Sequence, residues 1–398
     1  MIRTRLAVVL WLLSATAAAA QAVDSVFTDT VVHDIGLAVH PRDWASLKSN
    51  FQLDDYYPAH FTWNGRTVRN VGIRSRGFGS RSAIKPGLRL DFDRYDRTQS
   101  LLGLSSIVLR NNTQDASSLH ERVSLKLFSR LGIPSSRTAH ARLFVNGHYV
   151  GLYLIVESID KQFLARHYGE NGGHLYKYDW VEPYYFEDRG TEAARYVPFP
   201  FTLETNLRNP DPAPLVEMIR LISEAPADDF IRVMGSRLDV RSFVVQAAAE
   251  NFVAEVDGLV GYAGINNFYL YRLGSSGLFT FIPWDKSEAF KAGPTHSILW
   301  NISDVPGWLR NRLMDRVMAE PGLRDLYFDT LLRCAEIAMT DEWLEREILW
   351  QYEQIRHAAL ADPVKPYTDE EFEAHVQAML EFARARSPAV IAEVRRTR

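Results

Sequence analysis

ENFVAEVDGLVGYAGINNFYLYR, residues 250–272, followed after four residues by GLFTFIPWDKSEAF, residues 277–290, is the stretch whose reading decides the fold. Apolar residues at helical spacing over 240–256 predict a helix that hands Asp257 to a glycine-containing loop. Asn267 then opens a strand over 267–273, a turn at 274–277 returns the chain along 278–283, and Asp285 stands just beyond the second strand. Loops after helices and the ends of strands are where rigid elements hold side chains over a cleft. One Asp in such a loop commonly just caps a turn. An Asp, an Asn and a second Asp delivered together are what phosphoryl transfer asks for: one carboxylate to orient the attacking hydroxyl, and two oxygen donors to hold a divalent cation against nucleotide phosphates.

Working outward, the chain after residue 213 reads as mainly helical, with helices over 214–224, 240–256, 309–318, 323–339, 341–358 and 369–384. The 169–213 stretch is rich in Gly, Pro, aromatic and charged residues and reads as a connecting segment, a linker or lid. Within it, Trp180 and the run Tyr184-Tyr185-Phe186 read as aromatics packed onto the body. Further upstream, strands are expected over 31–39, 59–63, 66–76, 87–93, 141–145 and 150–156, with a short helix over 44–48. Asn64-Gly65 and Asn146-Gly147 are hairpin turn signals. Leu119, Val123, Leu127 and Leu131 recur every four residues in a helix over 115–132, where Ser118 and Glu121 fit a capping box. The expected organisation is a sheet-rich region over 23–168, the segment 169–213, and a mainly helical region over 214–398.

The first residues, MIRTRLAVVLWLLSATAAAAQA, run from arginines through an apolar core to small residues, the order of a secretory leader cleaved after Ala22. A periplasmic or secreted location follows as the expectation, with no transmembrane segment in the mature chain. Lys and Arg number 45 against 49 Asp and Glu, a near balance that argues against a nucleic-acid partner held through phosphates. The single cysteine, Cys334, excludes an internal disulfide and sits in apolar helical surroundings that suit packing. The 11 histidines show no zinc-ligand spacing, and neither a nucleophile elbow nor a Walker lysine motif is present.

The 250–290 pattern resembles the CotH kinase family, in which a loop Asp precedes an Asn at a Tyr-rich strand and then a Trp-Asp pair ahead of a Phe. The resemblance continues upstream through VGIRSRGFGSR (71–81), KPGLRLDF (85–92), LFVNGHYVGLYLIVESIDKQFL (143–164) and HLYKY (174–178), and so spans about 30–327. It implies an α+β, two-lobed, protein-kinase-like fold with an N-terminal antiparallel-sheet lobe and a mainly helical C-terminal lobe. ATP with Mg2+ or Mn2+ is the implied cofactor, and a Ser or Thr of an exported or cell-surface protein the implied acceptor.

Carried over by position, the resemblance makes Asp257 the catalytic-loop aspartate and Asn267 and Asp285 the metal residues, with Asn266 the register alternative to Asn267. It makes Arg76 and Ser80, in a Gly-containing loop, phosphate contacts. Lys85, or alternatively Arg89, is the lysine-type cation for the nucleotide phosphates. Glu121 reads equally as the glutamate orienting that lysine and as the capping-box partner of Ser118. Glu157 ends a strand where a kinase hinge would begin, next to backbone suited to adenine, and reads equally as a salt-bridge partner. At residue 287 the family carries an acidic residue and this chain a serine. That departure sustains a rival reading, a surface or structural binding protein that kept the fold and lost the chemistry.

Overall fold

The computed structural model describes residues 23–303 and 305–398, so the leader expected over 1–22 lies outside the described residues. The chain forms two compact units, both discontinuous in sequence. One comprises the residues up to Ser118, Arg137–Ser158 and Gln351–Phe372. The other comprises Leu119–Ser136, Ile159–Trp350 and Glu373–Arg398.

The first unit is built on seven strands: β1 (His33–Val39), β2 (Tyr57–Trp63), β3 (Arg66–Ser75), β4 (Leu88–Asp91), β5 (Ser106–Arg110), β6 (Thr138–Val145) and β7 (His148–Glu157). The expected antiparallel sheet is instead a closed barrel in the order β1-β2-β3-β4-β5-β7-β6. Closure comes from a parallel pairing of β1 with β6, Ile35 opposite Leu143. Closing a sheet on itself leaves no unpaired edge. Alternate residues fill the interior, among them Ile35, Leu37, Phe61, Ile73, Leu90, Leu109, Leu143 and Ile155.

Both Asn-Gly turns form as read, with positive φ at Asn64, Gly65, Asn146 and Gly147, the backbone a two-residue hairpin requires. β5 was not foreseen, because all five of its residues, SIVLR, are buried and no alternation marks it.

The second unit holds a four-stranded antiparallel sheet. Its strands are β8 (His174–Tyr178), β9 (Phe201–Leu203), β10 (Phe268–Arg272) and β11 (Phe279–Pro283), in the order β11-β10-β8-β9. The segment read as a connection over 169–213 therefore supplies two strands. β8 finds its partner β10 about ninety residues downstream, Leu270 opposite Tyr176, a pairing that no local pattern announces. Rings cement the sheet: Tyr178 stacks on Phe268 at 5.0 Å, and Phe268 lies 5.3 Å from Phe281. Tyr184, Tyr185 and Phe186 are buried beside them.

The second unit also holds the helices Ala213–Glu224, Val240–Phe252, which packs on β11, Arg312–Ala319, Pro321–Met339 and, from Glu373 on, Asp369–Thr397. The last runs well past the expected end at 384, through an internal Pro388. The helix read over 115–132 starts only at His120, and its N-cap Leu119 makes no side-chain capping bond. The expected capping box does not form. Asp115 instead draws the chain into a turn by accepting the Ser117 hydroxyl at 2.6 Å and the Ser118 N–H at its carbonyl, and Ser118 adopts φ +60°. Burial pushes the Cys334 thiol far up, which suits packing and not nucleophilic chemistry. No helix among the described residues is long and apolar enough to cross a membrane.

Candidate active site

Asp257, Asn266, Asn267 and Asp285 converge within the second unit. The Val240–Phe252 helix ends at Val253, Ala254 turns with φ +52°, and the chain enters the loop carrying Asp257. That loop is tied on several sides. The Asn266 N–H donates to Gly258 O at 2.9 Å, Tyr262 N–H to Val256 O at 2.9 Å, and Ile265 N–H to Tyr184 O at 2.8 Å. Asn301 Nδ2 reaches Val260 O at 2.9 Å and Asn311 Nδ2 reaches Leu259 O at 2.7 Å. The Trp180 indole donates to Ala263 O at 2.9 Å, so the stretch read as a lid braces the loop from outside.

On this frame Asp257 Oδ2 accepts one bond from Asn266 Nδ2 and one from Asn267 Nδ2, each at 3.0 Å. Asn267 Nδ2 also donates to Asp257 O at 2.9 Å. With its NH2 end spent on Asp257, the amide of Asn267 presents Oδ1 as its acceptor. Trp284 N–H donates to Asn267 O at 3.0 Å, which sets Asp285 next to the strand that Asn267 opens. Asn267 and Asp285 both hold left-handed backbone, φ +55° and +50°, a conformation that surrounding structure must impose and that concentrates at functional sites.

Burial pushes the Asp257 carboxyl up to about 6; the Asn266 bond opposes the rise and the Asp285 charge adds to it. A second carboxylate close enough to raise the proton affinity of Asp257 marks a place where a cation is welcome. Ser287 Oγ donates to Asp285 Oδ1 at 2.9 Å, at the position where the resemblance led us to expect an acid. His120 Nδ1 meets Ser287 O at 3.0 Å and its ring lies 5.7 Å from Phe290, which pins the 285–290 turn.

The donor set fits a small hard cation in part. Asp285 and Asn267 Oδ1 are oxygen ligands of the kind Mg2+ takes, and Mg2+ fills its remaining positions with water and phosphate oxygen. Among the described residues no group of three or more His, Cys, Asp or Glu side chains is arranged to hold a metal alone.

Of the other expected residues, Arg76, Ser80, Lys85, Arg89 and Glu157 belong to the first unit and Glu121 to the second. Glu121 is buried on the His120–Arg130 helix. Lys85 belongs to the first unit, where its ammonium is 2.7 Å from Asp362 Oδ2 with side-chain exposures of 4% and 1%. Burial lowers its pKa, against the pull of Asp362. Asp362 is thus the carboxylate that pairs with Lys85. Arg89, the alternative, is paired with Asp91 at 2.8 Å.

Glu157 is buried at the end of β7 and takes Arg137 Nη2 at 2.6 Å and Arg137 N–H at 3.0 Å. Its own N–H donates to Arg137 O at 2.9 Å, so the salt-bridge reading describes it. Arg76 is half-buried with its N–H on Gly87 O at 2.9 Å, and the Ser80 carbonyl accepts Asn111 Nδ2 at 2.8 Å.

Sequence reasoning passed over Glu250, Glu255 and Lys286, which lie fully buried beneath the Asp257 loop. Burial holds Glu255 well above the usual carboxylate range. Their signal was present: two acids in a helical run rich in apolar residues, and a lysine shortly after the apolar strand segment FTFIP.

The sequence shares 29% identity over 352 residues with inner spore coat protein H of Bacillus subtilis (strain 168), across 88% of this chain and 94% of that protein. A crystal structure of the Helicobacter pylori proinflammatory kinase CtkA aligns over 78% of this chain and 94% of its own, at 9% identity and a TM-score of 0.31, too low to bear on the fold. The profile of the CotH kinase protein family matches residues 73–390. A match of that extent settles the kinship: the chain belongs to the CotH kinase protein family.

Proposed function

We propose that this protein is a protein kinase that transfers the terminal phosphoryl group of ATP, with Mg2+ or Mn2+, to a Ser or Thr hydroxyl of an exported or cell-surface protein. The observation that carries the reading is the convergence of Asp257, Asn267 and Asp285 in one unit, with the Asn amide bonded to the Asp257 carboxylate. In its ionised form Asp257 orients the acceptor hydroxyl and takes up its proton as the new P–O bond forms and the bond to ADP breaks. Asn266 and Asn267 hold Oδ2 of that carboxylate fixed, which leaves Oδ1 for the acceptor. Asp285 and Asn267 Oδ1 are the residues that would hold the cation, which when bound neutralises charge on the phosphates. The family resemblance, and not their placement, supports Arg76 and Ser80 as phosphate contacts. A two-lobed kinase-like arrangement and export to the periplasm or beyond belong to the same proposal, export resting on the leader pattern alone.

Incubation with radiolabelled ATP and Mg2+ tests the site. Wild type is expected to incorporate label into itself or a generic acceptor, and Asp257→Asn and Asp285→Ala to lose at least about a hundredfold. Equal labelling by all three would remove the assignment.

Ser287 favours a second reading, a surface or structural protein that retains the fold without turnover. ATP with Mg2+ separates the two, because a ligand bound only by the folded state raises the melting temperature. A wild-type Tm that is indifferent to millimolar ATP and Mg2+ would favour the second.

A further inference from the structure

We propose that Lys286, Glu250 and Glu255 form a buried positioning unit that holds the Asp257 loop and the carbonyl of Asn267 in register from below. The proposal rests on the kinase reading for its effect on turnover, and on geometry alone for its effect on loop order.

Each of the three side chains ends on a backbone atom of the site. Glu255 Oε1 accepts the N–H of Asp257 at 2.8 Å. Glu250 Oε2 accepts the N–H of Leu259 at 2.7 Å. Lys286 Nζ lies 3.4 Å from Asn267 O and 2.8 Å from Glu250 Oε1, both members of that pair being wholly buried. Gln246 Nε2 adds a bond to Glu250 Oε1 at 2.9 Å from one turn back on the same helix.

The loop is pressed onto these groups. A Cβ on Gly258 would sit 2.2 Å from Glu250 Oε2 and 3.2 Å from Glu255 Cγ, so only glycine allows the approach. The segments that carry Asp257, Asn267 and Asp285 thus meet on one lysine and two carboxyl groups.

Stability alone is a poor reason for such a cluster. Desolvating an ion pair offsets most of its attraction, and apolar replacements of the same volume are often neutral or stabilising. Geometry is the better reason, since buried groups with fixed partners admit one arrangement of the backbone they hold. Lys286, Glu250 and Glu255 are positioning residues in this scheme. Being buried, they act on turnover only through Asp257 and Asn267.

The test compares wild type, Lys286→Met, Glu255→Leu and Glu255→Gln by amide hydrogen exchange in ligand-free protein and by steady-state kinetics. Lys286→Met and Glu255→Leu should speed exchange across residues 253–261 by about tenfold or more while amides of the Pro321–Met339 helix keep their protection. Glu255→Gln, which retains an acceptor for the Asp257 N–H, should keep the loop protected. Turnover should fall by about a hundredfold in the first two variants with the KM for ATP little changed, the mark of misplacement rather than lost binding.

Should Lys286→Met fail to fold, Glu255→Leu still decides, because it leaves the Lys286–Glu250 pair matched one to one. Unaltered loop exchange in Glu255→Leu overturns the proposal. So does acceleration of loop and helix together in step with lowered stability, the pattern of a purely structural role. A wild type that transfers no phosphate would sink the kinase reading while leaving the exchange comparison to decide the positioning claim.

Discussion

Asp257 does two things that pull against each other: it is buried enough to resist ionisation, and it must ionise to take a proton. Its carboxyl is pushed up to about 6 by burial, with Asp285 adding to the rise. In ligand-free protein the side-chain carbon of Asp257, followed by NMR, should titrate near that value, and Asp285→Asn should move the midpoint down; an unmoved midpoint would mean that the two carboxylates do not sense each other. The linkage has a definite sign. Folded Asp257 binds its proton more tightly than the unfolded chain does, so its contribution to stability declines as pH rises from the ordinary Asp range to about 6. Ser287 offers a second check at this scale. Ser287→Asp places another carboxylate against Asp285, so it should lower the Tm without metal and raise the increment in Tm given by Mg2+. Both shifts follow from like charges that repel until a cation bridges them. That Asp257, Asn267 and Asp285 belong together was readable as a motif. The bonding of both Asn266 and Asn267 to one carboxylate oxygen was not, since it depends on a strand register and a positive φ.

Elements with local signals were legible, and those defined by distant partners were not. The two Asn-Gly hairpins and the helix leading to Asp257 were read from composition and period, because turn chemistry and a helical apolar stripe are properties of adjacent residues. β8 escaped because its partner β10 lies far along the chain, β9 because three residues paired only with β8 are too short to show a period, and the capping box at Ser118 was displaced by a turn built on Asp115. The C-terminal helix shows what such distant elements do. Arg386, fully buried, donates to the carbonyls of Asn251 at 2.6 Å, Phe252 at 2.8 Å, Pro294 at 2.9 Å and His296 at 2.5 Å. Two of these are carbonyls at the end of the helix that delivers Asp257, of which Asn251 O also takes the Ala254 N–H at 3.2 Å. Arg386→Met should therefore cost about 3 kcal/mol or more by chemical denaturation, by leaving buried carbonyls unpaired. Arg386→Lys should recover little, for an ammonium cannot span four acceptors in a plane. A loss under about 0.5 kcal/mol for the Met variant would show that water replaces the guanidinium.

Over the whole molecule, each of the two units is assembled from separate stretches of the chain. Gln351–Phe372 joins the barrel unit, where Asp362 takes Lys85 Nζ at 2.7 Å, Leu152 N–H at 2.9 Å and Val364 N–H at 3.0 Å at one or other carboxylate oxygen. Tyr149 and Tyr367 add bonds to Ala358 O and Thr113 O. Asp362→Ala should thus destabilise the barrel unit by about 3–5 kcal/mol, because Lys85 is left charged and buried. The double variant Lys85→Met with Asp362→Leu should recover a large part, and a double-variant loss equal to the sum of the two single losses would show that the pair is not coupled. By itself the sequence determined the family, the mixed α and β content, the hairpin turns and the three residues on which the proposed chemistry rests, since each is written in neighbouring positions or in a motif. Only the tertiary structure decided that the sheet closes into a barrel, that Lys85 belongs to Asp362, and that a buried lysine and two glutamates underlie the Asp257 loop. Those outcomes turn on which distant groups share a desolvated space, and pairing across such distances has no local periodicity to reveal it.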